Sequence, residues 1–276
     1  MTPDAAAGGV VRLIASDLDG TLLDADGGVP AELGELAARL HADGVLFVPA
    51  SGRSAPSVAR LFDGVLPWQE GGPTLIADNG ACVVHRGEQI LVAQVPQDVV
   101  ADVVDGVRRY ADRDARSTAI VLCTPEMAYT DCPDGPLLDQ VQHYYSALTR
   151  VEDLRSVDDR VIKVAVADLG GVVALAEEAL APVTGRADVV RSGAVWVDVM
   201  ATGVNKGAAL RRLQDVLGVA PRQTMAFGDH LNDLEMLRVA DLSYAVEGAQ
   251  PEVVAAARLR AGGPGVGVLE VLRGLV

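Results

Sequence analysis

Apolar residues run along this chain in two rhythms, short continuous runs and stripes three or four residues apart, and the two alternate near both ends. The run VVRLIAS, Val10 to Ser16, is short and rich in β-branched residues, as expected of a strand buried on both faces. Helical spacing follows in PAELGELAARLHADG, with Pro30 early and Gly44 at the stop. A second buried run, VLFVPAS, leads through Ser54 and Pro56 into the helical SVARLF. This βαβα alternation predicts a parallel sheet flanked by helices. The rhythm returns late, with a helix around NKGAALRRLQDVLG, a strand TMAFG, a helix NDLEMLRVA and a short strand near LSYAV.

Between these outer portions the pattern is mixed. Candidate strands ACVVH, STAIVLC, VIKVAVA and VWVDVM alternate with helical VVADVVDGVRRYAD, LLDQVQHYYSAL and GVVALAEEALAPV. Strands separated by whole helices fit a compact α+β insertion of roughly 120 residues rather than a linker. Residues 1–82 and 201–276 are therefore expected to build one core sheet, and 83–200 an inserted domain. No internal repeat is apparent, and the Gly-rich AGGPGVG near the C-terminus reads as a turn.

Composition supports a packed chain. Of 276 residues half are hydrophobic and only 4% aromatic, which suits helices on a buried sheet rather than disorder. The formal net charge of -15 argues against binding nucleic acid and is compatible with binding cations. Cys82, Cys123 and Cys132 are too few and scattered for a disulfide framework or a CxxC metal site, and read as buried apolar residues of a reducing compartment. MTPDAAAGG has no basic region ahead of an apolar segment, and no run approaches the roughly 18 apolar residues that span a bilayer. The expectation is a soluble cytoplasmic protein without membrane or nucleic-acid partners, a monomer or weak homodimer.

Candidate chemistry gathers at strand ends. Asp17 and Asp19 stop the first apolar run, and ligands of parallel α/β sheets bind beyond the carboxyl ends of strands. Residues two apart on an extended chain point the same way, and Gly20 permits a sharp turn beneath them. Asp-Gly is also a common turn dipeptide, so the motif alone reads equally as a polar turn. The second strand ends in ASGR, where Ser51 and the following N–H groups either hold an anion or cap a helix. Lys206 stands at a helix start, where the dipole disfavours a cation, which marks either a site or a solvated lysine. Asp229, Asn232 and Asp233 follow TMAFG; helix capping explains one of them. Gathered with Asp17 and Asp19, the late aspartates would make an all-oxygen cluster suited to Mg²⁺ rather than zinc.

The segments DLDGTLLD, ASGR, NKGAAL and GDHLNDLEML, in this order, resemble those of the haloacid dehalogenase superfamily of aspartate-nucleophile phosphatases. The large insertion after the second segment is similar to the Cof-type branch, which carries an α+β cap there. The resemblance implies a Rossmann-like α/β core with an inserted α+β cap, and a Mg²⁺-dependent phosphatase acting on a small phosphorylated metabolite such as a sugar phosphate. In that family's pattern Asp17 is the nucleophile that becomes an aspartyl-phosphate and Asp19 the acid/base. Mg²⁺ is held by Asp17, the backbone carbonyl of Asp19, Asp229 and, directly or through water, Asp233. Ser51, Lys206 and Asn232 match phosphate-holding positions. Asp19 points to a phosphatase or phosphotransferase rather than a dehalogenase.

Other residues read as ordinary. His230 is expected to face solvent because Mg²⁺ prefers oxygen ligands. His41, His85 and His143 lack metal-like spacing, and Arg108, Arg109, Arg211 and Arg212 fall on helical faces. Trp68 and Trp196 read as packing residues, Arg53 as a substrate contact or a loop support. The LLDADGG stretch reads as a mobile flap in which Asp24 and Asp26 have no catalytic part. AVEGA, Ala245 to Ala249, departs from the Met-Gly-Asn-Ala-like stretch usual in Cof-type proteins. Two rival readings are a phosphomannomutase-like phosphotransferase and a non-enzymatic phospho-acceptor signalling module.

Overall fold

The computed structural model describes residues 11–68, 71–114, 117–145, 147–192 and 195–276. MTPDAAAGG and Val10 lie outside the described residues. In chain order the elements are β1 (Leu13–Ser16), α1 (Leu33–Ala42), β2 (Leu46–Pro49), α2 (Ala55–Leu61), β3 (Leu75–Ala77), β4 (Cys82–His85) and β5 (Glu88–Val92). Next come α3 (Gln97–Asp114), β6 (Thr118–Cys123), β7 (Ala128–Thr130), α4 (Pro136–Tyr144), β8 (Leu148–Arg150), β9 (Lys163–Asp168), α5 (Val172–Ala174), β10 (Asp188–Arg191) and β11 (Trp196–Met200). The chain closes with α6 (Lys206–Leu217), β12 (Thr224–Gly228), α7 (Leu234–Val239), β13 (Leu242–Ala245), α8 (Pro251–Ala256), β14 (Leu259–Arg260) and α9 (Val266–Arg273).

Contacts divide the chain into two compact units. One holds the described chain up to Ser51, Val58–Leu91 and Asn205–Val276; the other holds Gly52–Ser57 and Val92–Val204. The expected division after residue 82 falls inside β4, whose antiparallel pairing with β3 keeps it in the first unit.

In the first unit, among the described residues, a sheet of order β14-β13-β12-β1-β2 has every neighbouring pair parallel. A parallel bridge from Ala50 to Ile76 continues it to β3. The expected alternation of buried strand and amphipathic helix is realised here. Leu13, Ile14 and Ala15 are wholly buried, so neighbouring side chains meet cover on both faces. Leu13 and Ala15 pack with Leu210 and Leu213 of α6 and Met236 of α7. Each buried Leu or Met contributes about 1.5–3 kcal/mol relative to exposure. Helix α1 buries Leu33, Leu36, Ala37 and Leu40, one stripe of its surface. Register aligns the strand ends: Ser16 lies opposite both Pro49 and Phe227. Asp17, Ser51 and Asp229 consequently leave the sheet along one carboxyl edge.

The second unit carries, among the described residues, a sheet of order β10-β11-β9-β6-β7-β8, antiparallel except for β7–β8. Strand alternation sorts its faces. Val164 and Val166 pack with Val99, Val103 and Val107 of α3, whereas Ala165 and Ala167 pack with Leu137, Leu138 and Val141 of α4. This is the expected α+β unit with two differences. GVVALAEEALAPV is not one helix: α5 passes into a wide turn at Leu175–Ala179 and a tight one at Ala181–Val183, where Pro182 removes a backbone donor. The helix expected through Leu148 ends at Tyr144, and Leu148 opens β8. AGGPGVG is a turn that runs directly into α9. Among the described residues no helix is long and apolar enough to cross a membrane.

Candidate active site

Asp17 is the first residue beyond β1. Its N–H donates to the Phe227 carbonyl at 3.0 Å, so the neighbouring strand fixes its backbone. The chain then reverses through a single wide turn, Leu18–Leu22, in which Gly20 takes φ +84. A side chain is excluded there by conformation and by space, since an added Cβ would lie 2.5 Å from Asp229 Oδ2. Thr21 Oγ1 from the same turn donates to Asp229 Oδ1 at 2.8 Å. The first and last motifs thus meet through Gly20 and Thr21.

Lys206 heads α6, whose cap is Asn205; the Asn205 side chain accepts from the Ala208 N–H at 2.8 Å. The lysine is fully buried, not a solvated surface residue. Its ammonium donates to Asp17 Oδ1 and, at 2.7 Å, to Asp233 Oδ1. Burial alone would push Lys206 down; the charges of Asp17 and Asp233 outweigh it and hold the ammonium above its ordinary value. The other oxygen of Asp233 accepts from the N–H groups of Asp229 and His230, each at 3.1 Å. Asp233 therefore organises the loop after β12 while facing the lysine.

Asp17, Asp229 and Asp233 each offer an oxygen within 4.8 Å of the others. Burial, followed by the charge of Asp233, raises Asp17 well above the usual carboxylate range despite Lys206. Burial also raises Asp229, against the hydrogen bond from Thr21. Three carboxylates around one ammonium remain short of positive charge. The donors are all oxygen, so the residues fit a hard divalent cation. Asp19 stands outside this carboxylate group, exposed in the turn.

Ser51 is buried at the end of β2, its N–H bonded to the Ile76 carbonyl at 2.9 Å. Asn232 is half-buried and donates from Nδ2 to Asn79 Oδ1 at 3.0 Å. Sequence reasoning missed Asn79, Thr21 and the backbone of Gln250, which donates to the Asp229 carbonyl at 2.9 Å. An Asn-Gly pair just after the apolar Leu75–Ala77 run and Asp78 is the available signal for Asn79. The departing AVEGA segment runs beside the site: the Val246 N–H bonds the Gly228 carbonyl at 3.3 Å, while Glu247 faces solvent.

Most of the residues read as ordinary behave so, Arg108 excepted: expected on a solvated face, it is half-buried between two carboxylates. His230, Arg211 and Arg212 are exposed, and Arg108 bonds Asp131 and Asp153 at 2.6 and 2.9 Å. Trp68 packs edge-on to Phe62, and Trp196 against Tyr144 and Tyr145. Asp24 closes its own turn, with Oδ1 accepting from the N–H groups of Asp26 and Gly28 at 3.0 and 2.7 Å.

The family model for haloacid dehalogenase-like hydrolases matches residues 14–262, which include every strand end described above. The chain belongs to the haloacid dehalogenase-like hydrolases. Among curated relatives, the 5-amino-6-(5-phospho-D-ribitylamino)uracil phosphatase YbjI of Escherichia coli is 30% identical over 266 residues, covering 95% of each chain. The HMP-PP phosphatase of Cronobacter sakazakii is 30% identical over 253 residues, 89% of this chain and 88% of that one. A crystal structure from Eubacterium rectale superposes with a TM-score of 0.85 at 29% identity, covering 97% of this chain and 100% of that one. A haloacid dehalogenase-like hydrolase from Bacteroides thetaiotaomicron gives the same TM-score at 23% identity, over 96% of this chain and 100% of that one, a likeness of fold.

Proposed function

We propose that this hydrolase is a Mg²⁺-dependent phosphatase that releases phosphate from a small phosphorylated metabolite such as a sugar phosphate. The observation that carries the reading is the buried Asp17 carboxylate at a strand end, bonded to Lys206 and grouped with Asp229 and Asp233. A carboxylate so placed can be a nucleophile, and relatives matching almost the whole chain are named phosphatases.

In this reading an oxygen of Asp17 attacks phosphorus and the bond to the leaving oxygen breaks. Asp19 gives that oxygen its proton. The aspartyl-phosphate is then opened by water, whose proton Asp19 takes, so phosphate leaves and both aspartates are restored. Lys206 keeps a positive charge beside the Asp17 carboxylate and the incoming phosphoryl oxygens, reducing the repulsion between two anions. Ser51 and Asn232 hold the phosphoryl oxygens. Mg²⁺, held by Asp17, Asp229, Asp233 and the Asp19 carbonyl, would supply further charge neutralisation.

Substrate selection is assigned to the inserted segment Val92–Val204, where no motif names a substrate. A cytoplasmic location fits the three free, buried cysteines. The test is a panel of phosphorylated metabolites, including the substrates for which the relatives are named, assayed with Mg²⁺, with EDTA and with Asp17→Asn. Phosphate release is expected to vanish under both perturbations. Full activity in Asp17→Asn would contradict the mechanism.

A further inference from the structure

The turn Asp78–Gly80 lies outside every motif that points to the reaction, yet it touches three segments that carry it. The Asn79 N–H donates to the Ser51 carbonyl at 3.0 Å. Its side-chain Oδ1 accepts from Asn232 Nδ2 at 3.0 Å. Gly80, at φ +98, closes on the start of α6, where an added Cβ would lie 3.0 Å from the Lys206 backbone nitrogen and nearer still to the Asn205 carbonyl. Asn79 itself is 4% exposed and left-handed, with φ +54 and ψ 27, a conformation that asparagine tolerates better than most residues.

A carboxamide has two ends of nearly equal shape, one donating and one accepting. If Asn232 is to hold a phosphate, its donor must be fixed in direction, because an accepting end turned to the anion would repel it. An acceptor beside Nδ2 does this: Asn79 Oδ1 engages one N–H and defines where the second points. The same residue grips the backbone of Ser51, so one left-handed asparagine links both phosphate-holding candidates.

We propose that Asn79 is a positioning residue for phosphate binding, orienting the Asn232 carboxamide and steadying the strand end that bears Ser51. The proposal rests on the phosphatase reading above. Asn79→Gly separates side chain from backbone, since glycine keeps the left-handed conformation and the N–H to Ser51 while deleting Oδ1.

Wild type, Asn79→Gly, Asn232→Ala and the double variant are to be compared with p-nitrophenyl phosphate for kinetics and with inorganic phosphate for calorimetric binding. Loss of one such hydrogen bond is expected to raise KM and the phosphate Kd about 10-fold, with kcat changed less than about threefold. Acting through Asn232, Asn79→Gly should add little to Asn232→Ala, leaving the double variant within about threefold of that single one. Unchanged KM and Kd in Asn79→Gly would overturn the proposal, as would a double variant whose loss is the product of the two singles. Should Asn79→Gly melt below the assay temperature, the wild-type protein carries the test. Its Asn232 side-chain amide protons, assigned by their loss in Asn232→Ala, should exchange more slowly than those of exposed asparagines, and fast exchange contradicts the bond. A wild type that binds phosphate without turnover would sink the phosphatase reading alone; normal turnover with an indifferent Asn79→Gly would sink only this one.

Discussion

Lys206→Met keeps an apolar stem of similar length and removes the ammonium. That ammonium is wholly buried and bonded to Asp17 and Asp233. Without it, two buried carboxylates face each other uncompensated, and a third, Asp229, stands close by. Removing one partner of a buried ion pair destabilises by about 3–5 kcal/mol. In a folding unit of roughly 150 residues or more, each kcal/mol shifts Tm by about 2–4 °C, so the metal-free variant should melt roughly 10 °C lower. The assay is thermal denaturation followed by near-UV circular dichroism in EDTA. Lys206→Met with Asp233→Asn should recover part of the loss, because one of the stranded charges is gone. A single variant melting within about 2 °C of wild type would refute the reasoning, since the lysine could not then be the buried partner of both carboxylates.

In metal-free protein the contribution of Asp17 to stability should decline as pH rises. Burial and the Asp233 charge raise Asp17 when folded, so the folded chain keeps a proton that the unfolded chain releases near pH ~4. Stability from this group is greatest below the ordinary carboxylate range and declines as pH climbs through the raised value. Denaturant midpoints in EDTA for wild type against Asp17→Asn isolate it, and a gap that moves the other way counts against the assignment. Thr21→Val deletes the donor to Asp229 at 2.8 Å and lets that carboxyl rise further. Calorimetry at mildly acidic pH should show Mg²⁺ affinity falling about 10-fold, and unchanged affinity would contradict that role. Asp19→Asn should slow release of the leaving group in the first turnover, read by rapid quench, ~10²–10⁴-fold for esters with basic leaving groups and much less for p-nitrophenyl phosphate. Equal slowing of both would remove Asp19 as the acid.

The outer portions were legible because β1 and β12 are apolar runs buried on both faces that end abruptly in carboxylates. The same runs place Asp17 and Asp229 at one sheet edge once the strands pair in parallel. What stayed hidden depended on distant partners. A lysine at a helix start reads as either a site residue or a solvated one; its burial against carboxylates 189 and 27 residues away separates the two. Asn79 has no motif of its own, and its role arises only where the turn meets Asn232, 153 residues later. Short strands such as β7 and β8 are three residues each and lean on their neighbours rather than on a pattern of their own. Pro182 and the break at Leu175 escaped because the apolar spacing of GVVALAEEALAPV continues across them.

Covalent capture tests the central claim most directly. Protein incubated with Mg²⁺ and a turned-over phosphate ester, quenched in acid and mapped by peptide mass spectrometry, should carry a phosphoryl group on Asp17. Asp19→Asn should accumulate more of that species, and Asp17→Asn none. Turnover with no phosphorylated peptide in either wild type or Asp19→Asn, or a phosphoryl group on another residue, would contradict Asp17 as the nucleophile.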